Sequence, residues 1–292
     1  SDLANMKKHK GLIIGLLTLI VVLGSGCARE KENEVLKIGV MSDLGAAPFI
    51  IAEEKGYFED LGVDVEITVF KSATDRDTAM QTGNLDGAMA DMLTIVFYSD
   101  ADFKAKMTSQ TYGSYVMVTS PKVKKSDFES AEAINIGISA NTVIDFATDQ
   151  IALNNAFADK IETVAIPQMP VRLEMLGAGE LMAATLPEPL ATVAVGDGGE
   201  AVASTLDLGL QPGVFIFTEA AIDDQKEAIE KMYEGYNQAV NYINTTDQTE
   251  FMDLLVEKLG FPPTLKAFFD FPELSTAQMA DEVTFRTVLR IG

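Results

Sequence analysis

LKIGVMSDLGAAPFIIAEEKGYFEDLGVDVEITVF, Leu36–Phe70, decides the fold class. Leu36, Ile38 and Val40 alternate with Lys37 and Gly39 in the period-two pattern of a strand, and Val63, Val65, Ile67 and Val69 repeat it. Between them, Phe49 to Tyr57 reads as a helix that stops at Gly56, a residue suited to the left-handed turn after a helix. Strand, loop, helix and strand in that order predict an α/β layout with a mainly parallel sheet.

Working outward, Leu85 to Ala90 is short and apolar, like a buried parallel strand, and Tyr115–Val118 and Val214–Thr218 read as further strands. Ile222, Ile229, Tyr233, Tyr236, Val240 and Ile243 then fall near helical spacing, and Phe251 to Leu259 forms another helix ahead of Gly260 and Pro262-Pro263. Ser275 with Gln278 makes a capping box that predicts a last helix over 276–281. The run Phe268-Phe269-Asp270-Phe271 is read as packing between core and lobes.

The second half echoes the first. Ile38-Gly39-Val40 returns as Ile136-Gly137-Ile138, and Gly83-Asn84-Leu85-Asp86-Gly87-Ala88 returns as Gly179-Glu180-Leu181-Met182-Ala183-Ala184 at nearly the same offset. Two matched pairs at one spacing predict two similar lobes. Five loops then follow strand ends: Met41–Phe49, Lys71–Thr74, Ala90–Met92, Ser139–Thr142 and Pro187–Pro189. In open α/β sheets ligands bind outside the carboxyl ends of strands, so these loops are expected to face one cleft. The candidate ligand-binding residues are Ser42, Asp43, Pro48, Phe49, Lys71, Ser72, Thr74, Asp91, Met92, Ser139, Asn141, Thr142 and Glu188.

Lys7, Lys8 and Lys10 precede an apolar run, Gly11 to Leu23, which leads through Gly24, Ser25 and Gly26 to Cys27. That order predicts a secretory signal peptide up to residue 26, with Ser1 to Asn5 read as a remnant ahead of Met6. A cysteine directly after small residues resembles the lipobox of bacterial lipoproteins, whose thiol is acylated, although Leu23 stands one place further from the cysteine than in that family. A plain signal peptide or a single membrane anchor is the alternative. Residues 27–34 read as a charged, lipidated tether.

Composition removes several chemistries. The one histidine is His9, inside the leader, and Cys27 is the one cysteine. Ser-His and Cys-His nucleophile pairs and His- or Cys-ligated zinc are therefore excluded from the mature part. Without the leader's three lysines and one aspartate the net charge moves from −22 to −24, which repels nucleic acid and anionic lipid. Tryptophan is absent, which argues against a sugar-stacking platform.

Ala47-Pro48-Phe49-Ile50-Ile51-Ala52-Glu53-Glu54-Lys55-Gly56-Tyr57-Phe58, then Leu61-Gly62-Val63-Asp64-Val65-Glu66, resembles the opening of the solute-binding proteins of nitrate, sulfonate, taurine and pyrimidine-precursor ABC importers. Thr82 to Ala88 is similar to that family's next signature, and Arg172-Leu173-Glu174-Met175-Leu176 with Leu186-Pro187-Glu188-Pro189 to its second-lobe signature. Met182 departs from the pattern, which commonly has an acidic residue there, as at Asp86. The resemblance implies a two-lobed type II periplasmic-binding fold with a hinge and a central ligand cleft. Lobe one would be 35–118 plus 217–292 and lobe two 119–216. It also implies a monomeric, non-enzymatic receptor that delivers a small molecule to an ABC permease and its ATPase, outside the cytoplasm and held to the membrane by acylated Cys27. No cofactor, catalytic residue, metal site or nucleic-acid partner is expected.

Asp43, Asp91 and Glu188 against Lys71 favour a neutral or partly cationic nitrogenous ligand, such as a pyrimidine-like metabolite. An anion of the sulfonate, nitrate or taurine type is the alternative, with the helix start at Asn141-Thr142 as its seat. Arg172 is expected in a structural salt bridge, and Arg76 as an exposed helix charge. Rival readings are a sensory lipoprotein, an enzyme of the same fold using Asp91 and Glu188, and an oxygen-ligand metal site at Asp43, Asp91 and Glu188.

Overall fold

The computed structural model describes residues 34–290. The leader, Cys27 and all but the last residue of the tether lie outside the described residues. The chain opens with β1 (Leu36–Met41), a one-turn helix at Leu44–Ala46, α1 (Ala47–Glu54), α2 (Tyr57–Asp60), β2 (Val65–Phe70), α3 (Ala73–Gln81), β3 (Gly87–Asp91), α4 (Met92–Asp100) and β4 (Ala105–Gln110). The middle contributes β5 (Tyr115–Thr119), α5 (Asp127–Ser130), β6 (Ile134–Ile138), α6 (Val143–Asn154), β7 (Ile161–Ala165), α7 (Met169–Gly177), β8 (Ala183–Pro187), α8 (Leu190–Gly196) and β9 (Ala201–Ser204). Last come β10 (Gly213–Thr218), α9 (Glu219–Asp224), α10 (Lys226–Thr245), α11 (Met252–Leu259) and α12 (Glu282–Leu289).

Among the described residues ten strands form two sheets of one topology, β2-β1-β3-β10-β4 and β7-β6-β8-β5-β9. In each, the first three strands are parallel and the fourth runs antiparallel to both its neighbours, so the other four strands point the same way. The antiparallel strand is exchanged: β10 returns to the first sheet and β5 opens the second. The chain thus passes between sheets at 111–114 and 205–212. The expected lobe boundaries at 118/119 and 216/217 fall inside β5 and β10, because the change of sheet comes in the turn before each strand.

Local chemistry explains the elements. Leu36, Ile38 and Val40 are buried from β1, and every residue of β3 is buried, as in a strand covered on both faces. Gly56, at φ 73°, ends the first helical segment in the left-handed conformation expected of it. On α10 the buried Ile229, Met232, Tyr236, Ala239, Val240 and Ile243 recur at three- and four-residue steps. Tyr236 meets Phe49 with ring centroids 4.8 Å apart, and Phe49 meets Phe215 of β10 at 5.1 Å. Phe268 lies over the bare Cα of Gly196 on α8, an aromatic contact between the C-terminal segment and the second lobe.

The C-terminal expectation is corrected. Residues 276–281 are not helical, and the last helix begins at Glu282 with Asp281 as its cap, whose Oδ2 accepts Thr284 N–H at 2.9 Å. The Ser275/Gln278 box has no helix to cap because Gln278 is drawn to β4: its carbonyl accepts Gln110 N–H at 2.8 Å and its N–H donates to Ser109 Oγ at 3.1 Å.

Candidate functional site

The strand ends of the two sheets meet across a closed cleft. Leu44 N–H donates to Glu188 O at 2.9 Å and Met169 N–H to Lys71 O at 3.1 Å, while Gln168 Nε2 donates to Asp75 Oδ2 at 3.2 Å. Each of these bonds joins the first lobe to the second. Between them lies a cavity of about 40 Å³, lined by Asp43, Arg76, Met89, Asp91 and Thr111 from one side and Ser139, Thr142, Met169 and Arg172 from the other, with Tyr112 and Tyr115 at the crossing between sheets. A larger recess of about 410 Å³ belongs wholly to the second lobe, near Lys124, Lys125 and Lys160. Lys125 and Lys160 direct their Nζ atoms to the carbonyls of Val202, Phe128 and Glu129, and the recess gathers nothing from the first lobe.

Of the sequence-predicted residues, Asp43, Asp91, Ser139 and Thr142 reach the cavity wall. Asp43 caps the turn at Leu44–Ala46 by accepting Gly45 N–H at Oδ1, 3.0 Å, and no hydrogen bond reaches its Oδ2. Burial raises its carboxyl to about 7, against the opposing pull of the Gly45 N–H and Arg76. Asp91 caps α4 through Thr94 N–H at 3.0 Å; burial pushes its carboxyl up and Arg76 opposes that. Thr142 caps α6, and its Oγ1 donates to Ser139 O at 2.7 Å.

The others lie elsewhere. Ser42 turns its hydroxyl to the carbonyl of Leu259, and Pro48 and Phe49 enter the core as the first turn of α1. Met92, the first residue of α4, is fully buried, Ser72 caps α3, and the side chains of Lys71, Thr74 and Asn141 are exposed. Asn141 takes a left-handed φ of 57° and donates its N–H to Asp145. Glu188 borders a small neighbouring recess with Asp43 and Tyr112, and its carboxylate accepts Thr192 N–H and Oγ1–H at 3.1 and 2.8 Å. Among the described residues no three of His, Cys, Asp and Glu are gathered to hold a metal ion, so Asp43, Asp91 and Glu188 do not form the oxygen-ligand cluster considered above.

Both arginine expectations are overturned. Arg76 is 3% exposed, bridged to Asp77 at 3.0 Å, and donates to Met89 O at 3.3 Å and Thr94 Oγ1 at 3.1 Å. Burial works against its charge, but Asp77 and Asp91 outweigh that and raise its pKa. Arg172 is wholly buried and has no carboxylate partner. Its Nε donates to Thr185 O, midway along β8, at 3.0 Å and Nη1 to Ile166 O, just past the end of β7, at 2.7 Å, while Nη2 has no hydrogen-bond partner. Burial lowers its pKa to about 10, so the side chain is charged at neutral pH. The sequence carried a signal: positions 168, 169, 175 and 176, one helical turn away, are Gln, Met, Met and Leu, so no carboxylate on α7 could neutralise it.

Two sheets of one topology closed on a shared cavity define a two-lobed periplasmic-binding fold. The NMT1-like family profile matches residues 29–257, most of the chain, and the chain belongs to that family. Its fold is similar to a zinc-bound ligand-binding component of an ABC-type import system from Staphylococcus aureus (TM-score 0.74, 12% identity, 88% of this chain and 90% of that one). It is also similar to the alkanesulfonate-binding protein SsuA from Xanthomonas axonopodis pv. citri bound to MOPS (0.73, 14%, 88% and 90%). The periplasmic nitrate-binding protein NrtA from Synechocystis PCC 6803 is a third likeness (0.65, 18%, 86% and 75%). No curated protein matches the sequence.

Proposed function

We propose that this chain is an extracytoplasmic solute-binding receptor that traps a small molecule between its lobes and presents it to an ABC import permease and its ATPase. The observation that carries the reading is the closed cleft, in which one small cavity takes its walls from both lobes and backbone bonds cross between them. A ligand touching both walls stabilises the closed state by its differential contacts, and a permease can read that state. Solved proteins of the same fold that bind alkanesulfonate or nitrate support it. Acylated Cys27 would hold the receptor at the membrane as a monomer; among the described residues no helix is long and apolar enough to cross one. Two ligand chemistries fit the walls: a pyrimidine-like or other nitrogenous donor towards Asp43, and an acid towards Arg172. A sensory lipoprotein of the same fold is the second reading.

The test is the distance between lobes. Spin labels at exposed Glu59 and Glu129, in a Cys27→Ser background, should show an open population that collapses to a short distance when a solute binds. One fixed distance with every solute would overturn hinge closure. Loss of transport on deleting the cognate permease would separate importer from sensor.

A further inference from the structure

The run Phe268-Phe269-Asp270-Phe271 divides its rings between the two lobes. Phe269 and Phe271 belong to lobe one. Phe269 is buried, with its ring centroid 6.0 Å from that of Phe271; Phe271 meets Phe251 edge-on at 5.2 Å, and Phe251 meets Tyr242 of α10 at 6.2 Å. Gln248 pins the backbone of the same stretch, its Nε2 donating to Phe269 O at 2.6 Å and its Oε1 accepting Phe271 N–H at 2.7 Å. Just ahead, the helical turn at Pro263–Ala267 buries Leu265 and packs against α8.

Phe268 stands outside that ladder. Its ring lies against Gly196, the last residue of α8 in lobe two, with Cζ only 2.8 Å and Cε2 3.1 Å from where a β-carbon would stand. The ring is 44% exposed, so it is not a core residue of either lobe. The backbone does not ask for glycine at 196. Gly198, two places on, takes a left-handed φ of 107°, whereas Gly196 is helical, where alanine is the better residue. What the missing side chain makes room for is a ring carried by the other lobe.

The contact is also well placed. α8 starts just after Glu188, whose carbonyl takes Leu44 N–H across the cleft, and its 7 residues reach about 10 Å along the helix axis to Gly196. The lobes are thus joined at a second point, and neither Phe268 nor Gly196 lines the cavity.

Resting on the receptor reading above, we propose that Phe268 and Gly196 form a latch between the lobes, which keeps a share of the ligand-free protein closed and so raises its affinity for whatever solute the cleft takes. The contact is apolar, uses no ligand group, and forms when α8 meets the C-terminal segment. It shifts the balance between open and closed before a solute arrives, and apparent affinity follows the fraction that is competent to hold one.

Spin-label distances between positions 59 and 129, in the Cys27→Ser background and without solute, decide it. Phe268→Ala should move the ratio of closed to open about fivefold towards open, which corresponds to one half-exposed aromatic contact. Gly196→Ala should act in the same direction by displacing the ring, with a melting temperature within about 2 °C of the parent because it leaves both cores intact. The double variant separates a shared contact from two unrelated effects: with the ring gone the added methyl group meets nothing, so it should be no more open than Phe268→Ala alone. If Phe268→Ala does not fold, Gly196→Ala gives the readout by itself. A ligand-free parent with no closed population, unchanged distances in Phe268→Ala, or a double variant in which the two shifts multiply would overturn the latch. The receptor reading is judged by a different comparison, the parent with and without solute, so either can fall while the other stands.

Discussion

Leu44 N–H donates to the carbonyl of Glu188 at 2.9 Å, so the turn after β1 is bonded directly to the turn after β8 across the cleft. Both partners are backbone groups, which makes the bond indifferent to ligand identity and a measure of closure alone. Gln168, whose Nε2 reaches Asp75 across the same cleft, is the side-chain counterpart and can be removed cleanly. A charge-assisted hydrogen bond of this kind contributes on the order of 1 kcal/mol. Gln168→Ala is therefore expected to shift the open-to-closed equilibrium of the ligand-free protein about fivefold towards open, read from spin-label distances. Its melting temperature should stay within about 2 °C, because each lobe keeps its own core.

Asp43 predicts a pH dependence of folding. Its carboxyl is raised from 3.8 to about 7 by burial, so between those values the folded chain holds a proton that the unfolded chain has released. Stability from this group is fully present below about pH 4 and falls as pH rises towards 7, by a few kcal/mol in total. Asp43→Asn keeps an oxygen for Gly45 N–H but has nothing to ionise. Urea unfolding of both proteins at pH 5 and pH 8 should show the variant losing less stability than the parent over that interval. Equal losses would mean that Asp43 ionises freely in the folded protein.

The repeat makes a symmetric prediction about glycine. A methyl group on Gly39 would stand 2.8 Å from Phe70 and 2.9 Å from Leu85; on Gly137 it would stand 2.7 Å from Leu181 and 3.3 Å from the Arg172 stem. Alanine at either site should cost about 1–3 kcal/mol in chemical denaturation, through overpacking between the central strand and its covering side chains. Only Gly137→Ala should also weaken ligand binding, because only there does the displaced side chain line the cavity.

That comparison also marks how far the sequence could be read. The Ile-Gly-Val and Ile-Gly-Ile strands were legible because a central buried strand leaves a period-two apolar trace, and they occupy matching places in two sheets. Met182, where an acid was missed, was legible only as a departure. In lobe one Asp86 Oδ2 accepts Lys37 N–H at 2.8 Å; in lobe two Asn135, at the position of Lys37, reverses the bond and accepts Met182 N–H at 2.8 Å. Such an exchange depends on two residues 47 apart in sequence, beyond any local pattern. The cavity was half legible for a related reason. Strand-end loops pointed to Asp43, Asp91, Ser139 and Thr142, but Arg76 and Arg172 reach the wall from inside α3 and α7, where the one reads as a solvated helix charge and the other as half of a salt bridge. Applying the repeat offset to them would have exposed the unpaired one.

The hinge carries the last prediction. Thr284, fully buried on α12, accepts Gln211 N–H at 2.9 Å through Oγ1, and Gln211 lies in the segment that crosses from the second sheet back to the first. Just before the other crossing, Gln110 N–H is held by Gln278 O at 2.8 Å, so one C-terminal segment clips the chain beside both passages. Thr284→Val preserves shape but takes the acceptor from Gln211 N–H, and it also removes the hydroxyl that Asp281 binds while capping α12. Leaving a part-buried donor unsatisfied costs about 1–3 kcal/mol. If that cost falls on the whole fold, the melting temperature drops by several degrees and the lobe-to-lobe distances stay as they were. If the clip restrains the hinge, as its position beside both crossings argues, the distance distribution of the ligand-free protein broadens as well. Amide exchange at residues 205–212 would then quicken ahead of the core strands β1 and β6. Unchanged exchange there, with a lowered melting temperature, would assign Thr284 to packing alone.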